Sequence, residues 1–306
     1  MKSLCVLDFG TSKIKSLTCN FSESKNLSSK LDFVPVSIGK LLTNNIELAT
    51  DKKLEILKDF CDKTISIIEQ FLKDNFEIKA IATEIFRKNK ELEKTLKKIT
   101  DKFNIELEIL DSQKEAEFLA GNFDLKDDDL LIDVGGGSIQ TIYKNNNKLE
   151  INYYPIGTYI LENLFQPNKE IFNSNVCLNI DNYIKKSLLS DINKYKDKFT
   201  NIILGSNQMF SFFSSLSEKT NLNFLNENHF DAKIINSLIN NIFLNKKYED
   251  LFYYFEKNPN FIYGADKMLL ILKNFIEITN AKIILPVDDG ISSGFAKLHL
   301  KKQINN

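Results

Sequence analysis

The chain is poor in the residues that most often carry covalent or soft-metal chemistry. Its four cysteines, Cys5, Cys19, Cys61 and Cys177, are scattered and form no C-x-x-C pair, which argues against a disulfide framework. Its two histidines, His229 and His299, lie far apart, which argues against a zinc site or a Ser-His-Asp triad. No apolar run approaches the roughly 20 residues needed to cross a bilayer. Neither charge sign dominates: 40 basic and 41 acidic residues leave a net charge of -1. Such a balance gives no global field for nucleic acid or an anionic membrane, so neither is expected as a partner. Residues Met1–Asp8 reach an acid after a short apolar stretch and do not read as a signal peptide, so the cytoplasm is the expected compartment. Any chemistry is left to carboxylates, backbone amides and a hard metal ion.

Arginine is almost missing. Arg87 is the single Arg, and every other residue of the Lys-plus-Arg total is Lys. Genome composition can push basic positions toward Lys. The exception stands out because Arg offers a planar fork with five donors for phosphate or carboxylate, where Lys is a point charge.

The 306 residues suit roughly two domains, with a 43% hydrophobic and 26% charged composition typical of a folded chain. Ser3–Phe9 reads as a strand, Gly10-Thr11-Ser12 as a turn and Lys13–Cys19 as a returning strand of period two. A third strand is expected near Leu31–Ser37. Leu54, Leu57, Cys61, Ile65, Ile68 and Leu72 recur in steps of three or four, which predicts an amphipathic helix over Asp51–Lys73. Strand Ile78–Thr83, helix Glu91–Phe103, strand Glu106–Leu110 and helix Glu115–Asn122 follow, an α/β alternation. A polar stretch, Gly121–Asp129, marks a connection, and the domains are expected over 1–124 and 125–306. Beyond it, Leu130–Val134, Gly135-Gly136-Gly137 and Ser138–Tyr143 repeat the opening strand–turn–strand device, with a further strand at Leu149–Tyr154. From Gly157 the chain reads as mostly helical, with short strands near Ile202–Leu204 and Lys282–Leu285.

Three consecutive glycines in a chain with eleven permit positive φ and close backbone approach, so amides can be aimed at an anion. Taken alone, the triplet is equally a plain β-turn. Asp133 before it, placed to hold a divalent cation or a water, and Ser138 after it favour the anion loop. Asp8-Phe9-Gly10-Thr11-Ser12 is the matching piece in the first half. Neither segment is a P-loop, because no Gly-Lys-Ser/Thr follows.

Together, Leu7–Ser12 and Leu131–Ser138 resemble the two phosphate loops of the superfamily that unites actin, sugar kinases and heat-shock ATPases. The segments between them narrow the resemblance. Ala82-Thr83-Glu84-Ile85-Phe86-Arg87 is similar to the A-T-x-x-x-R core of the exopolyphosphatase/guanosine pentaphosphate phosphatase (Ppx/GppA) family. Ile109–Phe118 resembles its I-S-G-x-E-E-A-x-L segment, and Tyr154-Pro155-Ile156-Gly157 its S-x-P-L-G piece. Gly205-Ser206-Asn207 and Gly290–Gly294 fall where the family has G-T-A-G-T and G-L-R-E-G.

The resemblance implies two ribonuclease-H-like α/β domains of actin-like ATPase type around a central cleft. It implies Mg²⁺-dependent hydrolysis of a terminal phosphoanhydride, in polyphosphate or guanosine pentaphosphate. Glu115 then matches the general base and Asp133 the acid that assists magnesium and water. Arg87 matches the phosphate-gripping arginine. Asp8, Gly10, Thr11 and Ser12 match the first phosphate loop, and Gly135, Gly136, Gly137 and Ser138 the second. Asp8 and Gln140 complete the expected metal side. The sequence departs from the family in four places. Gln140 replaces a Glu, Ser112 a Gly, and Ser292-Ser293 an Arg-Glu pair, while Asn89 and Glu91 stand where the arginine signature continues with Ala and Asn. A catalytically weak polyphosphate or alarmone sensor, and an actin-like or sugar-kinase-like ATPase, are the other readings. A homodimer is left open.

Overall fold

The computed structural model describes residues 3–21, 27–42, 49–166, 171–205, 208–220, 222, 224, 225 and 228–305. The chain divides into two compact units, residues 1–122 with 291–306, and residues 123–290. No described helix is long and apolar enough to cross a membrane.

In the first unit, strands β1 (Leu4–Phe9), β2 (Lys13–Phe21) and β3 (Leu27–Pro35) form an antiparallel meander. Helix α1 (Thr50–Lys73) carries the chain to β4 (Glu77–Ala82), which pairs parallel to β1. Helices α2 (Glu84–Lys88) and α3 (Lys90–Lys102) lead to β5 (Glu106–Ile109), parallel to β4, and then to α4 (Ser112–Ala120). The sheet order is β3-β2-β1-β4-β5.

The buried rings of Phe9, Phe60 and Phe86 pack within 6.2 Å of one another, centroid to centroid. Each buried Phe contributes about 1.5–3 kcal/mol by leaving water. These rings join the end of β1, the middle of α1 and α2, and so hold the neighbouring Asp8 and Arg87 in place. On α1 the fully buried residues are Phe60, Thr64 and Ile68, whereas Leu54 and Leu72 are exposed. The buried stripe is therefore narrower than the periodicity suggests, since only the middle turns of this long helix lie over the sheet. The sequence pattern also passes over α2, a five-residue helix too short to show a period. Asn89 separates it from α3, and its side chain accepts from the Glu91 and Leu92 amides as the α3 cap.

The second unit repeats the plan. Strands β6 (Asp129–Val134), β7 (Ile139–Asn145) and β8 (Lys148–Tyr154) are again an antiparallel meander. Helices α5 (Thr158–Phe165), α6 (Ser174–Leu188) and α7 (Ile192–Tyr195) precede β9 (Asn201–Leu204), which pairs parallel to β6. Helix α8 (Met209–Lys219), β10 (Phe230–Asp231), α9 (Ile234–Leu238), α10 (Tyr248–Leu251) and α11 (Ala265–Thr279) follow. Last in this unit is β11 (Ile283–Pro286), parallel to β9. The order β10-β11-β9-β6-β7-β8 contains the first sheet's pattern, with β8, β7, β6, β9 and β11 in the places of β3, β2, β1, β4 and β5. The repeat seen in sequence over a dozen residues thus extends to a whole sheet.

Helix α12 (Ile291–Asn305) returns to the first unit and packs on α4 and β1, whereas the sequence-based partition places these residues in the second domain. Its Gly294 lies against the backbone of α4, where a Cβ would stand 1.7 Å from the Phe118 carbonyl oxygen. Phe118 and Phe295 seal the contact edge to face at 5.4 Å. No side-chain rotation relieves a clash with backbone. Gly294→Ala is expected to destabilise the protein by about 1–3 kcal/mol, as overpacking does. Urea denaturation checks this, and a change below about 0.5 kcal/mol would refute the close approach.

Candidate active site

The candidate residues of the first unit lie at the carboxyl ends of the three parallel strands β1, β4 and β5, the edge where open α/β sheets bind ligands. Backbone bonds stitch that edge together. The Thr83 amide and hydroxyl both donate to the Phe9 carbonyl, at 3.2 and 3.3 Å, and the Leu110 amide donates to the Ala82 carbonyl at 2.9 Å.

Arg87 and Glu115 meet there. The guanidinium Nη1 donates to Glu115 Oε1 and to the Leu110 carbonyl, and Nη2 donates to Ser112 Oγ at 3.2 Å. Glu115 is buried, with a side chain 5% exposed, and sits in the first turn of α4. That helix starts three residues earlier than its apolar pattern suggests because Asp111 caps it, accepting from the Lys114 amide at 2.8 Å. Removing one partner of a buried ion pair typically costs about 3–5 kcal/mol. The lone arginine is therefore committed to the residue matched to the general base.

The β1–β2 hairpin closes with the Gly10 amide donating to the Lys13 carbonyl at 3.1 Å, leaving Thr11 and Ser12 as its two-residue loop. The loop carbonyls are taken from one side: Thr11 accepts from the Gly39 amide and Ser12 from the Val36 amide, each at 2.9 Å. In a trans peptide the N–H that follows a carbonyl points the opposite way. The amides of Ser12 and Lys13 are thereby turned away from the Val36–Gly39 segment, side by side.

The β6–β7 hairpin has the same build. The Gly135 amide donates to the Ser138 carbonyl at 2.9 Å, with Gly136-Gly137 as the loop. Here α5 takes the carbonyls: the Thr158 amide donates to Gly135 at 3.0 Å, and the Tyr159 amide to Gly136 at 2.9 Å. The same peptide geometry turns the Gly136 and Gly137 amides away from α5. Pairs of adjacent amides with one heading are the elements of an anion-binding nest. Among the described glycines only Gly264 has left-handed φ, so the triplet is not there for positive φ as its composition suggests. The close approach instead involves Gly157, which packs against the loop backbone. A Cβ on Gly157 would stand 2.4 Å from the Gly136 oxygen, which explains the glycine ending Tyr154–Gly157.

Asp8 and Asp133 occupy the penultimate positions of β1 and β6. Opposite Asp8 in the register stands Lys15, whose Nζ is 3.1 Å from Asp8 Oδ2; opposite Asp133 stands Gln140. Gln140 is buried, and Ser138, two residues before it, shares its strand face. Asp8 is 1% exposed, and its Oδ1 is buried without a hydrogen-bond partner. That orphaned oxygen, and the oxygens of Asp133 and Gln140, are hard donors of the kind Mg²⁺ accepts through one or two carboxylates and waters. Among the described residues no group of three or more His, Cys, Asp or Glu could hold a metal ion. In the second unit the Asp133 and Gln140 oxygens are of the hard class that Mg²⁺ takes, unlike the thiolate and imidazole ligands of a zinc cage.

Lys13 and Lys15 were not singled out by the motifs, and Ser112 entered only as a departure from one. Register arithmetic could have found Lys15, since a two-residue loop at 11–12 sets 8 against 15. In the second unit the Gly205 amide donates to the Ile132 carbonyl at 2.9 Å, while Ser206 and Asn207 lie outside the described residues. In Gly290–Gly294, Ser292 is 1% exposed on α12.

The profile of the Ppx/GppA phosphatase family matches residues 43–256. A solved structure of an Aquifex aeolicus member of the Ppx/GppA family aligns with a TM-score of 0.72 at 16% identity, over 99% of this chain and 98% of that one. An exopolyphosphatase from Cytophaga hutchinsonii aligns with a TM-score of 0.76 at 16% identity, over 98% of each chain. An exopolyphosphatase-like protein aligns at 0.77 and 12% identity, over 98% of this chain and 99% of that one. These structures share the two-unit α/β fold. Sequence comparison with curated proteins gives no significant match.

Lys13 gives a pH signature to the first hairpin. Burial, aided by Lys15 and opposed by Asp8, lowers its pKa from 10.5 to about 8, and its Nζ rests 4.8 Å from the Phe33 ring centroid. Between pH 8 and 10.5 the unfolded chain binds more protons here than the folded one, so this group's contribution to stability rises with pH in that window. The stability gap between Lys13→Met and wild type should therefore shift by about 1–3 kcal/mol in favour of wild type from pH 7.5 to 10.5. A gap independent of pH, measured by chemical denaturation, would refute the lowered pKa.

Proposed function

Because the chain belongs to the Ppx/GppA phosphatase family, we propose that it is a Mg²⁺-dependent phosphoanhydride hydrolase. Its proposed substrates are inorganic polyphosphate, losing its terminal phosphate, and guanosine pentaphosphate, losing its 5′-γ-phosphate. The observation that carries this reading is the Arg87–Glu115 pair, a buried carboxylate and the chain's only guanidinium at the carboxyl edge of parallel strands.

Glu115 takes the proton of the attacking water as its oxygen bonds to the terminal phosphorus. The bridging P–O bond breaks, and the shortened phosphate leaves as an anion. Such a reaction needs positioning and charge stabilisation more than covalent help. Arg87 supplies positive charge beside the base. In the first unit the Ser12 and Lys13 amides and the Lys13 ammonium are placed to hold phosphate oxygens; in the second unit the Gly136 and Gly137 amides form the corresponding anion loop. Asp133, with Gln140 beside it in the second unit, would hold Mg²⁺. When bound, the ion supplies charge neutralisation to the phosphate oxygens.

A second reading, an anion-binding sensor without turnover, is favoured by Gln140, a neutral side chain opposite Asp133. Phosphate release from polyphosphate, guanosine pentaphosphate and ATP, assayed in parallel with Mg²⁺, decides between them. Release from either of the first two supports hydrolysis. Binding of both without release supports the sensor, and release from ATP alone would overturn both.

Glu115→Gln should retain binding and lose about 10²–10⁴ in rate, because an amide cannot take the proton. Activity within about twofold of wild type would remove Glu115 as the base. Gln140→Glu should lower the Mg²⁺ concentration for half-maximal activity about fivefold, the effect of roughly 1 kcal/mol from one added charge. Equal Mg²⁺ titrations at measurable activity would take residue 140 out of the metal site.

A further inference from the structure

The three oxygens that hold Arg87 are not equally exchangeable. Glu115 is buried and would be stranded without its cation, and the Leu110 carbonyl is fixed by the backbone that leads into α4. Ser112 Oγ is different. It is a neutral hydroxyl on a rotatable bond, at an ordinary 3.2 Å from Nη2, on a half-buried residue in the first turn of α4. A hydroxyl released from a guanidinium loses one bond and can turn to water, whereas a phosphate oxygen arriving there gains a charge-assisted one. The family segment that Ile109–Phe118 resembles has glycine at this position, so the hydroxyl is this chain's own addition.

We infer that Ser112 Oγ stands in for a phosphate oxygen on Arg87 Nη2 and is displaced when phosphate binds. It keeps the guanidinium aligned in the free protein, and each binding event must first undo that contact. Ser112 is thus a positioning residue that sets affinity while leaving turnover to Glu115. The inference takes phosphate as the anion from the proposed function and is otherwise independent of hydrolysis.

A single arginine makes a direct test available. In the full chain labelled with [¹⁵N]arginine, the guanidinium signals belong to Arg87 alone. Inorganic tripolyphosphate titrated into wild type should shift them. Ser112→Gly should bind about threefold to tenfold more tightly, because no hydroxyl has to leave. Ser112→Asp should move the signals without any ligand and weaken tripolyphosphate binding by more than about tenfold, since a carboxylate would hold the same donor. An acid in the first turn of a helix suits the helix dipole, so this variant is expected to fold. In steady-state assays Ser112→Gly should lower KM with kcat within about twofold, the mark of a contact that acts on binding. Wild-type signals unmoved by tripolyphosphate, or one affinity for all three proteins, would overturn the inference. Loss of hydrolysis on every substrate with the affinity order intact would strike the proposed function and leave this assignment standing. Hydrolysis with equal affinities would do the reverse.

Discussion

A carbonyl and the amide that follows it point in opposite directions across a peptide plane, and both candidate anion loops depend on that constraint. In each hairpin the protein spends its hydrogen bonds on the carbonyls, from the Val36–Gly39 segment in one unit and from the start of α5 in the other. The amides are aimed as a consequence. Segments outside the two hairpins are therefore part of both candidate sites. Gly157 has to be a glycine so that α5 can come close enough to take the Gly135 and Gly136 oxygens.

The two units carry one hairpin device in two versions that differ in charge. Asp8 faces a lysine, while Asp133 faces a glutamine. The first hairpin is cationic, with Lys13 held partly desolvated beside Lys15. The second places Ser138 and Gln140 at the positions of those lysines and leaves its aspartate opposite a neutral amide.

Much of this was legible in the sequence because the signals are local. The two Asp-x-Gly turns, the strands before and after them, and the membership implied by Ala82–Arg87 all rest on short stretches. Helix α2 was missed because five residues carry no period, and its place is fixed by Phe86 packing on Phe9 and Phe60. Arg87 was singled out from composition, but its partners come from three other positions brought in by β5 and α4. The glycine triplet permits positive φ, yet among the described glycines only Gly264 adopts it, and the packing that requires Gly157 was not legible because it is not local. Residue 136 and Gly157 meet only after β8 has returned the chain.

The return of α12 to the first unit bears on how the chain acquires its structure during synthesis. The second unit is one continuous stretch, residues 123–290, and can close as soon as it has left the ribosome. The first unit is translated earlier yet lacks the helix that covers α4 and β1 until residues 291–305 emerge. Its N-terminal part must wait, with the α4 face uncovered, while residues 123–290 are made. Contacts of such long sequence separation form late because the intervening chain must first be closed into a loop. Residues 291–305 therefore complete a unit begun far earlier in the chain, and the helix bearing Glu115 gains its cover only after the second unit has been made.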